Sequence, residues 1–147
     1  MTAAPAQIEP APAPAGGVTA LIRLARPHQW SKGAFVLIGP VYGGVIGQPA
    51  VWPAVLGTLA AFSLASSACY VVNDIRDREA DRAHPRKRLR PVASGAVSLR
   101  TARVFAGALG VLALLALAGV YAAVAARPEH DAGRAMLLVG GAVGLYA

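Results

Sequence analysis

The sequence predicts an all-α integral membrane protein, a multi-helix transmembrane bundle of which this chain carries about four spans. Of the 147 residues, 56% are hydrophobic and only 14% are charged, and several apolar runs approach the length of a transmembrane helix. Inside a bilayer, backbone N–H and C=O groups find hydrogen-bond partners only within helices or closed barrels. These runs lack the alternation of polar and apolar residues that barrel strands show. The net charge is +7, but the basic residues lie beside apolar runs, and no aromatic side chains alternate with them in the basic loop. This pattern argues against nucleic acid as a partner.

The N-terminal part of the chain divides into three segments. Residues 1–18 are rich in Ala and Pro and are predicted to be a disordered tail. Residues 19–33 form an amphipathic interfacial segment, in which Trp30 suits the headgroup region. The first span is predicted over residues 34–47. Its glycines recur at every fourth position, a spacing that allows close helix packing: Gly39, Gly43 and Gly47.

The rest of the chain contains three further apolar segments. The second span is predicted over residues 51–72, the third over residues 101–126 and the fourth over residues 135–147. A charged segment, residues 73–98, separates the second span from the third. Because no polar flank closes the last apolar segment, we expect the chain to be part of a longer membrane protein.

The positive charges predict the orientation in the membrane. Twelve of the fourteen Lys and Arg residues lie in residues 19–33 and 73–103, which a hairpin of two spans places on the same side. Under the positive-inside rule, that side is the cytoplasmic one. We therefore expect a multi-pass protein of the plasma membrane whose charged segment, residues 73–98, is cytoplasmic.

The stretch NDIRDREAD, from Asn73 to Asp81, holds four of the seven acidic residues of the chain. If the second span continues as a helix through it, Asn73, Asp74, Asp77 and Asp81 lie within roughly 100° of one another. Mutual repulsion of these carboxylates calls for a counter-charge, and Mg²⁺ typically binds one or two carboxylates together with substrate phosphates. This stripe of four residues along one side of the helix thus predicts half of a Mg²⁺–diphosphate site. The alternative is a solvated helix end whose acids pair with nearby arginines.

A dense basic stretch, RAHPRKRLRPVASG, follows at residues 82–95. Its basic side chains are suited to phosphate oxygens, and they include Lys87, Arg88 and Arg90. The alternative is a positive-inside flank or a patch for anionic lipid. Both interpretations stay open at this point, because a polyprenyl phosphate is itself an anionic lipid.

The pattern N-D-x-x-D-x-x-x-D at residues 73–81, followed by Arg90, Pro91 and Gly95, resembles the first signature of the UbiA family of intramembrane transferases. The stretch RPHQWSKGAFVL, from Arg26, resembles the corresponding sequence in the branch of this family that transfers 5-phosphoribosyl groups. The resemblance implies a transmembrane bundle that binds Mg²⁺ and a diphosphate between two acidic motifs. Residues 19–147 would then be the N-terminal part of a UbiA-type domain.

The resemblance also implies roles for single residues. Asp77 and Asp81 would be catalytic, and together with Asn73 and Asp74 they would hold Mg²⁺. The residues expected to bind substrate phosphates are Arg26, Lys32, Lys87, Arg88 and Arg90. Because residues 99–147 contain no second acidic motif, we expect this chain to be inactive alone.

Three functions follow from these observations. The first is Mg²⁺-dependent transfer of a 5-phosphoribosyl group from phosphoribosyl diphosphate to a polyprenyl (decaprenyl) phosphate, for cell-wall arabinan synthesis. The second is prenyl transfer from a polyprenyl diphosphate to an aromatic acceptor. The third is a non-catalytic or degenerate membrane fragment that binds anionic lipid or a partner. All three leave a homo-oligomeric assembly open.

Overall fold

The computed structural model describes residues 17–126, and these residues are mostly helical with no strand among them. The α-helices are α1 (Val18–Ala25), α2 (Ile38–Tyr42), α3 (Trp52–Arg76), α4 (Arg78–Ala83) and α5 (Leu99–Ala125). Short 3-10 helices lie between them at Pro27–Leu37, Pro49–Val51 and Lys87–Leu89. Most of the predicted tail and the predicted span over residues 135–147 lie outside the described residues.

Two helices are long and apolar enough to cross a membrane, Pro49–Arg76 and Leu99–Ala125. At about 1.5 Å per residue, α3 and α5 are each roughly 40 Å long, which exceeds the hydrocarbon core of about 30 Å. They pack against each other more extensively than any other pair of described elements. The span predicted over residues 51–72 falls within the first of them, and the span predicted over residues 101–126 matches the second except for its last residue. Several large apolar side chains of α5 point outward, as expected for contact with lipid or further helices: Val111, Leu112, Leu114 and Leu115.

The span predicted over residues 34–47 differs from the structure. These residues comprise the end of the 3-10 helix Pro27–Leu37, the five residues of α2 and a turn, so they form no membrane-length helix. Pro40 lies inside α2 and lacks a backbone N–H to donate, and Gly44 adopts a left-handed φ of 67° shortly after α2 ends. Proline and glycine thus end the helix that hydrophobicity alone predicts.

Close packing between elements occurs at glycines other than the predicted ones. Around Gly39 and Gly47 the space is open. By contrast, Gly33 packs against Leu59 and Phe62 of α3, and a Cβ at Gly57 of α3 would lie 2.5 Å from Cγ2 of Val120 of α5. Among the described residues, the predicted glycines Gly39, Gly43 and Gly47 are therefore not the site of close helix approach.

Replacing Gly57 with alanine is expected to destabilise the packing of α3 on α5. Val120 is β-branched and its χ1 angle is restricted in a helix, so the new methyl group must push the helices apart. Overpacking of this kind costs about 1–3 kcal/mol, more than the gain of about 1 kcal/mol in helix propensity. Thermal unfolding of the intact protein in detergent measures the change.

Gly119→Ala is the matched control, because Gly119 lies one residue from Val120 and has open space around it. This variant is expected to keep or raise the midpoint of unfolding. A second substitution, Val120→Ala, should restore stability to Gly57→Ala by removing the clashing methyl groups. Equal midpoints for Gly57→Ala and Gly119→Ala would contradict the close approach.

The buried core lies at the end of the helix pair where the charged segment begins. It joins α1, the end of α3, the loop over residues 90–98 and the start of α5: Ala20, Leu24, Val71, Val92, Val97, Ala102, Ala106 and Leu109. The loop turns at Gly95, which has a left-handed φ of 84°, and the N–H of Val97 donates to the carbonyl of Pro91 (2.9 Å). This apolar base supports the charged segment on one side.

Ser67 of α3 connects the N-terminal segment to the membrane helix. Its hydroxyl donates to the carbonyl of Ala25 at the end of α1 (2.7 Å) and accepts from Nε1 of Trp30 (2.9 Å). Trp30 and Gly33 are three residues apart in a 3-10 helix and so lie in line on one side of it. That side faces α3, which fixes the segment predicted to be interfacial against the first of the long helices.

Candidate functional site

The acidic segment directly follows α3 and is nearly a continuation of it. Asp77 leaves helical geometry, with ψ of 1°, and separates α3 from α4. Hydrogen bonds of helical spacing nevertheless continue across the break, from the N–H of Asp77 to the carbonyl of Asn73 and from that of Asp81 to the carbonyl of Asp77 (both 2.8 Å). The four polar residues therefore stay on consecutive turns, as the predicted stripe requires.

Burial divides these four residues into two pairs. Asp74 and Asp81, seven residues apart, face the interior, and each side chain is 2% exposed. Asn73 and Asp77, four residues apart, lie at the surface. Positions i and i+7 share one helix face, and positions i and i+4 share a neighbouring one. The stripe predicted from the sequence is thus two adjacent rows with different surroundings.

Two arginines neutralise the buried pair. Nη1 of Arg90 lies 2.7 Å from Oδ2 of Asp81 and 3.3 Å from Oδ1 of Asp74. Nη2 of Arg26 lies 2.6 Å from the same Oδ1 of Asp74. For Asp74 and Asp81, the arginine pairing of the alternative interpretation is present, but these carboxylates are buried and the helix end is not solvated at them. The two arginines reach this point from opposite sides of the acidic segment in sequence.

Arg26 has an unusual backbone conformation. Its φ of 52° and ψ of 59° are left-handed, and no other non-glycine residue among residues 17–126 has a positive φ. Helices commonly end on such a residue, but the residue is usually glycine. Here the residue is an arginine, and its side chain contacts Asp74. The guanidinium carbon of Arg26 lies 4.9 Å from the ring centre of Tyr70.

Sequence reasoning missed Tyr70 and Gln29. The hydroxyl of Tyr70 donates to Oε1 of Gln29 (3.3 Å) and accepts from Nζ of Lys32 (3.4 Å). Tyr70 precedes Asp74 by four residues, so helical spacing places the two side chains on one face. That four-residue spacing is the signal in the sequence that could have identified Tyr70. Lys32, predicted to bind phosphate, is thus held next to Arg26 and Asp74 through Tyr70.

The remaining basic residues stay at the surface. Lys87 and Arg88 are exposed on the short 3-10 helix Lys87–Leu89. Nε of Arg82 donates to the carbonyl of Ala93 (3.0 Å), which joins α4 to the loop that carries Arg90. Of the five predicted phosphate-binding residues, the structure brings Arg26, Lys32 and Arg90 to the acidic segment and leaves Lys87 and Arg88 open to solvent.

His84 stabilises the turn that leads into the basic loop. Its Nδ1 accepts hydrogen bonds from the backbone N–H groups of Arg86 (3.2 Å) and Lys87 (3.3 Å). His84→Ala removes an acceptor worth about 1 kcal/mol per hydrogen bond, so we expect exchange of these two amides to accelerate roughly tenfold. Hydrogen–deuterium exchange of the intact protein measures this.

The control for this prediction is His84→Asn. The amide oxygen of asparagine occupies a position close to that of Nδ1 and accepts the same type of backbone hydrogen bond. Slow exchange should therefore return in His84→Asn. If the two variants exchange alike, the Nδ1 contacts do not hold the turn.

The donor set suits a metal ion that is shared with substrate. Within residues 17–126, no three His, Cys, Asp or Glu side chains are grouped so that they alone could hold a metal ion. Asn73 and Asp77 offer one amide oxygen and one carboxylate at the surface, and neither side chain has a hydrogen bond or ion pair in this part of the chain. Mg²⁺ commonly takes few protein ligands and completes its shell with water and phosphate oxygens. These two residues fit that mode better than the arginine-paired Asp74 and Asp81.

Comparison with known proteins identifies the family. Residues 34–127 match the model of the UbiA prenyltransferase family. The chain belongs to this family. The predicted resemblance is thereby confirmed, and so is the all-α integral membrane fold, since family membership accompanies two membrane-length helices and no strand in the described residues. Membership of this family and the two membrane-length helices make this a membrane-embedded UbiA chain.

Individual relatives agree with this assignment. The chain is 45% identical over 105 residues to the decaprenyl-phosphate phosphoribosyltransferase of Mycobacterium tuberculosis strain H37Rv, covering 69% of this chain and 35% of the relative. It is 38% identical over 97 residues to the protein of that name from Corynebacterium glutamicum, covering 64% and 29%. It is 37% identical over 118 residues to the 4-hydroxybenzoate octaprenyltransferase of Methylibium petroleiphilum, covering 80% and 36%. This UbiA chain spans about a third of the length of these relatives.

Proposed function

We propose that the chain contributes the first acidic motif of a Mg²⁺-dependent enzyme that transfers a 5-phosphoribosyl group from phosphoribosyl diphosphate to decaprenyl phosphate. The product would supply cell-wall arabinan synthesis. One observation carries the proposal: Arg26 and Arg90 converge on the buried Asp74 and Asp81, beside the exposed Asn73 and Asp77. Similarity to relatives named decaprenyl-phosphate phosphoribosyltransferase favours this donor and acceptor.

The reaction needs charge neutralisation more than proton transfer. The bond between the anomeric carbon and the diphosphate oxygen breaks, a bond to the lipid phosphate oxygen forms, and diphosphate leaves with the electron pair. The attacking phosphate oxygen is already anionic, so no general base is required. Bound Mg²⁺ would supply Lewis-acid stabilisation of the leaving diphosphate.

The chain's own residues would bind and orient the donor. Asn73 and Asp77 would hold the metal, while Arg26 and Arg90 would direct guanidinium donors at diphosphate oxygens. Lys32, Lys87 and Arg88 would add positive charge around the phosphates of either substrate. Catalysis would then rest on positioning and on fixed charges that face the developing negative charge.

The location proposed for this reaction is the cytoplasmic face of the plasma membrane. Most positive charges flank the long helices α3 and α5 on the side that carries the acidic segment. Phosphoribosyl diphosphate is soluble and decaprenyl phosphate is membrane-bound, so a site at the end of α3 lies where both arrive. The acidic and basic segment, residues 73–98, would face the cytoplasm.

The decisive test offers two donor and acceptor pairs to the intact protein in lipid nanodiscs. Labelled phosphoribosyl diphosphate with decaprenyl phosphate should give a lipid-extractable labelled product with Mg²⁺ and none with EDTA. Labelled prenyl diphosphate with 4-hydroxybenzoate should give no product. The opposite result would support the second candidate, aromatic prenyl transfer, which similarity to the Methylibium petroleiphilum octaprenyltransferase favours. Lipid binding without turnover of either pair would favour a non-catalytic role.

A further inference from the structure

We infer that Asp74 is a positioning residue, which holds Arg26 and Arg90 in place for a diphosphate, and is not a ligand of the metal. This inference rests on the proposed function, because it assigns a role within the same site. It separates Asp74 from Asp77, although both belong to one acidic signature and both were expected to hold Mg²⁺.

The geometry around Asp74 is that of an anchor. A single oxygen, Oδ1, receives Nη2 of Arg26 at 2.6 Å and Nη1 of Arg90 at 3.3 Å. The carboxylate is 2% exposed, whereas the two arginine side chains are 21% and 28% exposed. The arginines therefore extend from a buried carboxylate toward the surface. Each guanidinium carries five N–H donors, and most of them stay available to a ligand.

Charge balance argues against a metal at Asp74. Two guanidinium groups already surround this carboxylate, so an added divalent cation would meet two positive charges at close range. Asp77 forms no ion pair within the described residues, and it lies at the surface three residues further along the chain. The cation is therefore expected at Asp77 and Asn73, and Asp74 is expected to act through its arginines.

The backbone at Arg26 supports this role. A left-handed φ of 52° is unfavourable for a residue with a side chain, and glycine would relieve it. The chain instead places an arginine there, which contacts Asp74 and lies over the ring of Tyr70. Such strain at a charged residue is a feature of functional sites, where the surrounding structure compensates for it.

The test compares Asp74→Asn with Asp77→Asn in the intact protein, using two concentration series. In Asp74→Asn, the KM for the diphosphate donor should rise roughly 10- to 100-fold, because charge-assisted contacts lose their orientation. The Mg²⁺ concentration for half-maximal rate should stay within about twofold of wild type. In Asp77→Asn, the Mg²⁺ requirement should rise instead. An equal rise in the Mg²⁺ requirement in both variants would overturn the inference.

A binding measurement removes the dependence on turnover. Mn²⁺ serves as the probe in an electron paramagnetic resonance titration, with inorganic pyrophosphate as the second ligand. Asp74→Asn should bind Mn²⁺ as wild type does, yet need roughly tenfold more pyrophosphate to change the Mn²⁺ spectrum. Loss of Mn²⁺ binding in Asp74→Asn, with a wild-type elution profile on size exclusion, would overturn the inference.

A double-mutant cycle shows whether Asp74 acts through Arg26. Arg26→Gln and Asp74→Asn should each weaken pyrophosphate binding, and the double variant should be little worse than either single variant. Additive losses would contradict coupling. If Asp74→Asn fails to fold, Arg26→Gln alone still tests the idea, since it should weaken pyrophosphate binding while Mn²⁺ binding stays unchanged.

Failure of this inference and failure of the proposed function give different results. If wild type uses prenyl diphosphate and not phosphoribosyl diphosphate, the proposed function fails. The comparison of Asp74→Asn with Asp77→Asn is then made with prenyl diphosphate, and the same separation of donor and Mg²⁺ dependence is expected. The pyrophosphate titration is independent of the donor.

Discussion

Asp77→Ala is expected to lower Mg²⁺-dependent transfer by the intact protein at least roughly 100-fold, since a metal contact supplies several kcal/mol of transition-state stabilisation. Asp77 is exposed and has no side-chain partner within residues 17–126, so its carboxylate is free to meet a metal bound to substrate. Initial rates of label transfer across a Mg²⁺ series check this expectation. The variant should keep the unfolding midpoint of wild type, because no side-chain hydrogen bond or ion pair in the described part of the chain is lost.

Glu79→Ala is the matched control for Asp77→Ala. Glu79 lies two residues away, is 75% exposed, and within residues 17–126 forms ion pairs only with Arg78 and Arg82, at the surface. Its removal changes the net charge of the segment by the same amount and should leave the rate within about twofold of wild type. If Asp77→Ala and Glu79→Ala had the same rates, the loss would reflect net charge and the metal role of Asp77 would be wrong.

Arg90→Ala is expected to impair both stability and transfer. Arg90 bridges Asp74 and Asp81, and both carboxylates are almost fully buried. Removing one partner of a buried ion pair commonly costs about 3–5 kcal/mol, and the partial exposure of Arg90 places the expected loss at the low end of that range. Transfer should become nearly undetectable, because the same guanidinium is proposed to bind the donor diphosphate. Thermal unfolding and donor KM measure the two effects.

Two variants control for Arg90→Ala. Arg88→Ala removes a neighbouring, exposed positive charge that has no ion pair in the described part of the chain, so its unfolding midpoint should match wild type. Arg90→Lys keeps the charge but replaces a planar group by a single ammonium, which matches two carboxylates and a diphosphate less well. It should recover part of the stability and little of the transfer rate. Full recovery of both by lysine would show that charge alone is needed.

The long helices were predictable from sequence, and the segment before them was not. Helices α3 and α5 follow from apolar runs that exceed the bilayer thickness, a property that neighbouring segments change little. Residues 34–47 have a mean hydropathy similar to that of the long helices, yet Pro40 and Gly44 prevent a continuous helix. Close approach depends on what faces a glycine, so Gly57 opposite Val120 was not visible in the spacing of glycines along one helix.

The candidate site was predictable in its positions but not in its pairings. Helical spacing correctly places Asn73, Asp74, Asp77 and Asp81 on consecutive turns. One partner of Asp74, Arg26, lies 48 residues earlier, and such a contact depends on tertiary structure that no local pattern encodes. Burial then decides which acids pair with arginine and which stay open. The catalytic, metal-binding and phosphate-binding roles stay predictions.

The hydrogen bond between Trp30 and Ser67 relates the proposed site to the expected boundary of the membrane. Tryptophan prefers the boundary between hydrocarbon and headgroups, and Nε1 of Trp30 ties that level to Ser67 of α3. Asn73 follows Ser67 by six residues, a rise of roughly 9 Å along the helix. If Trp30 lies at that boundary, we expect the acidic segment to lie among the lipid headgroups, above the acyl chains. A lipid phosphate drifting in its leaflet would already be at the height of the site and need not be lifted out of the membrane.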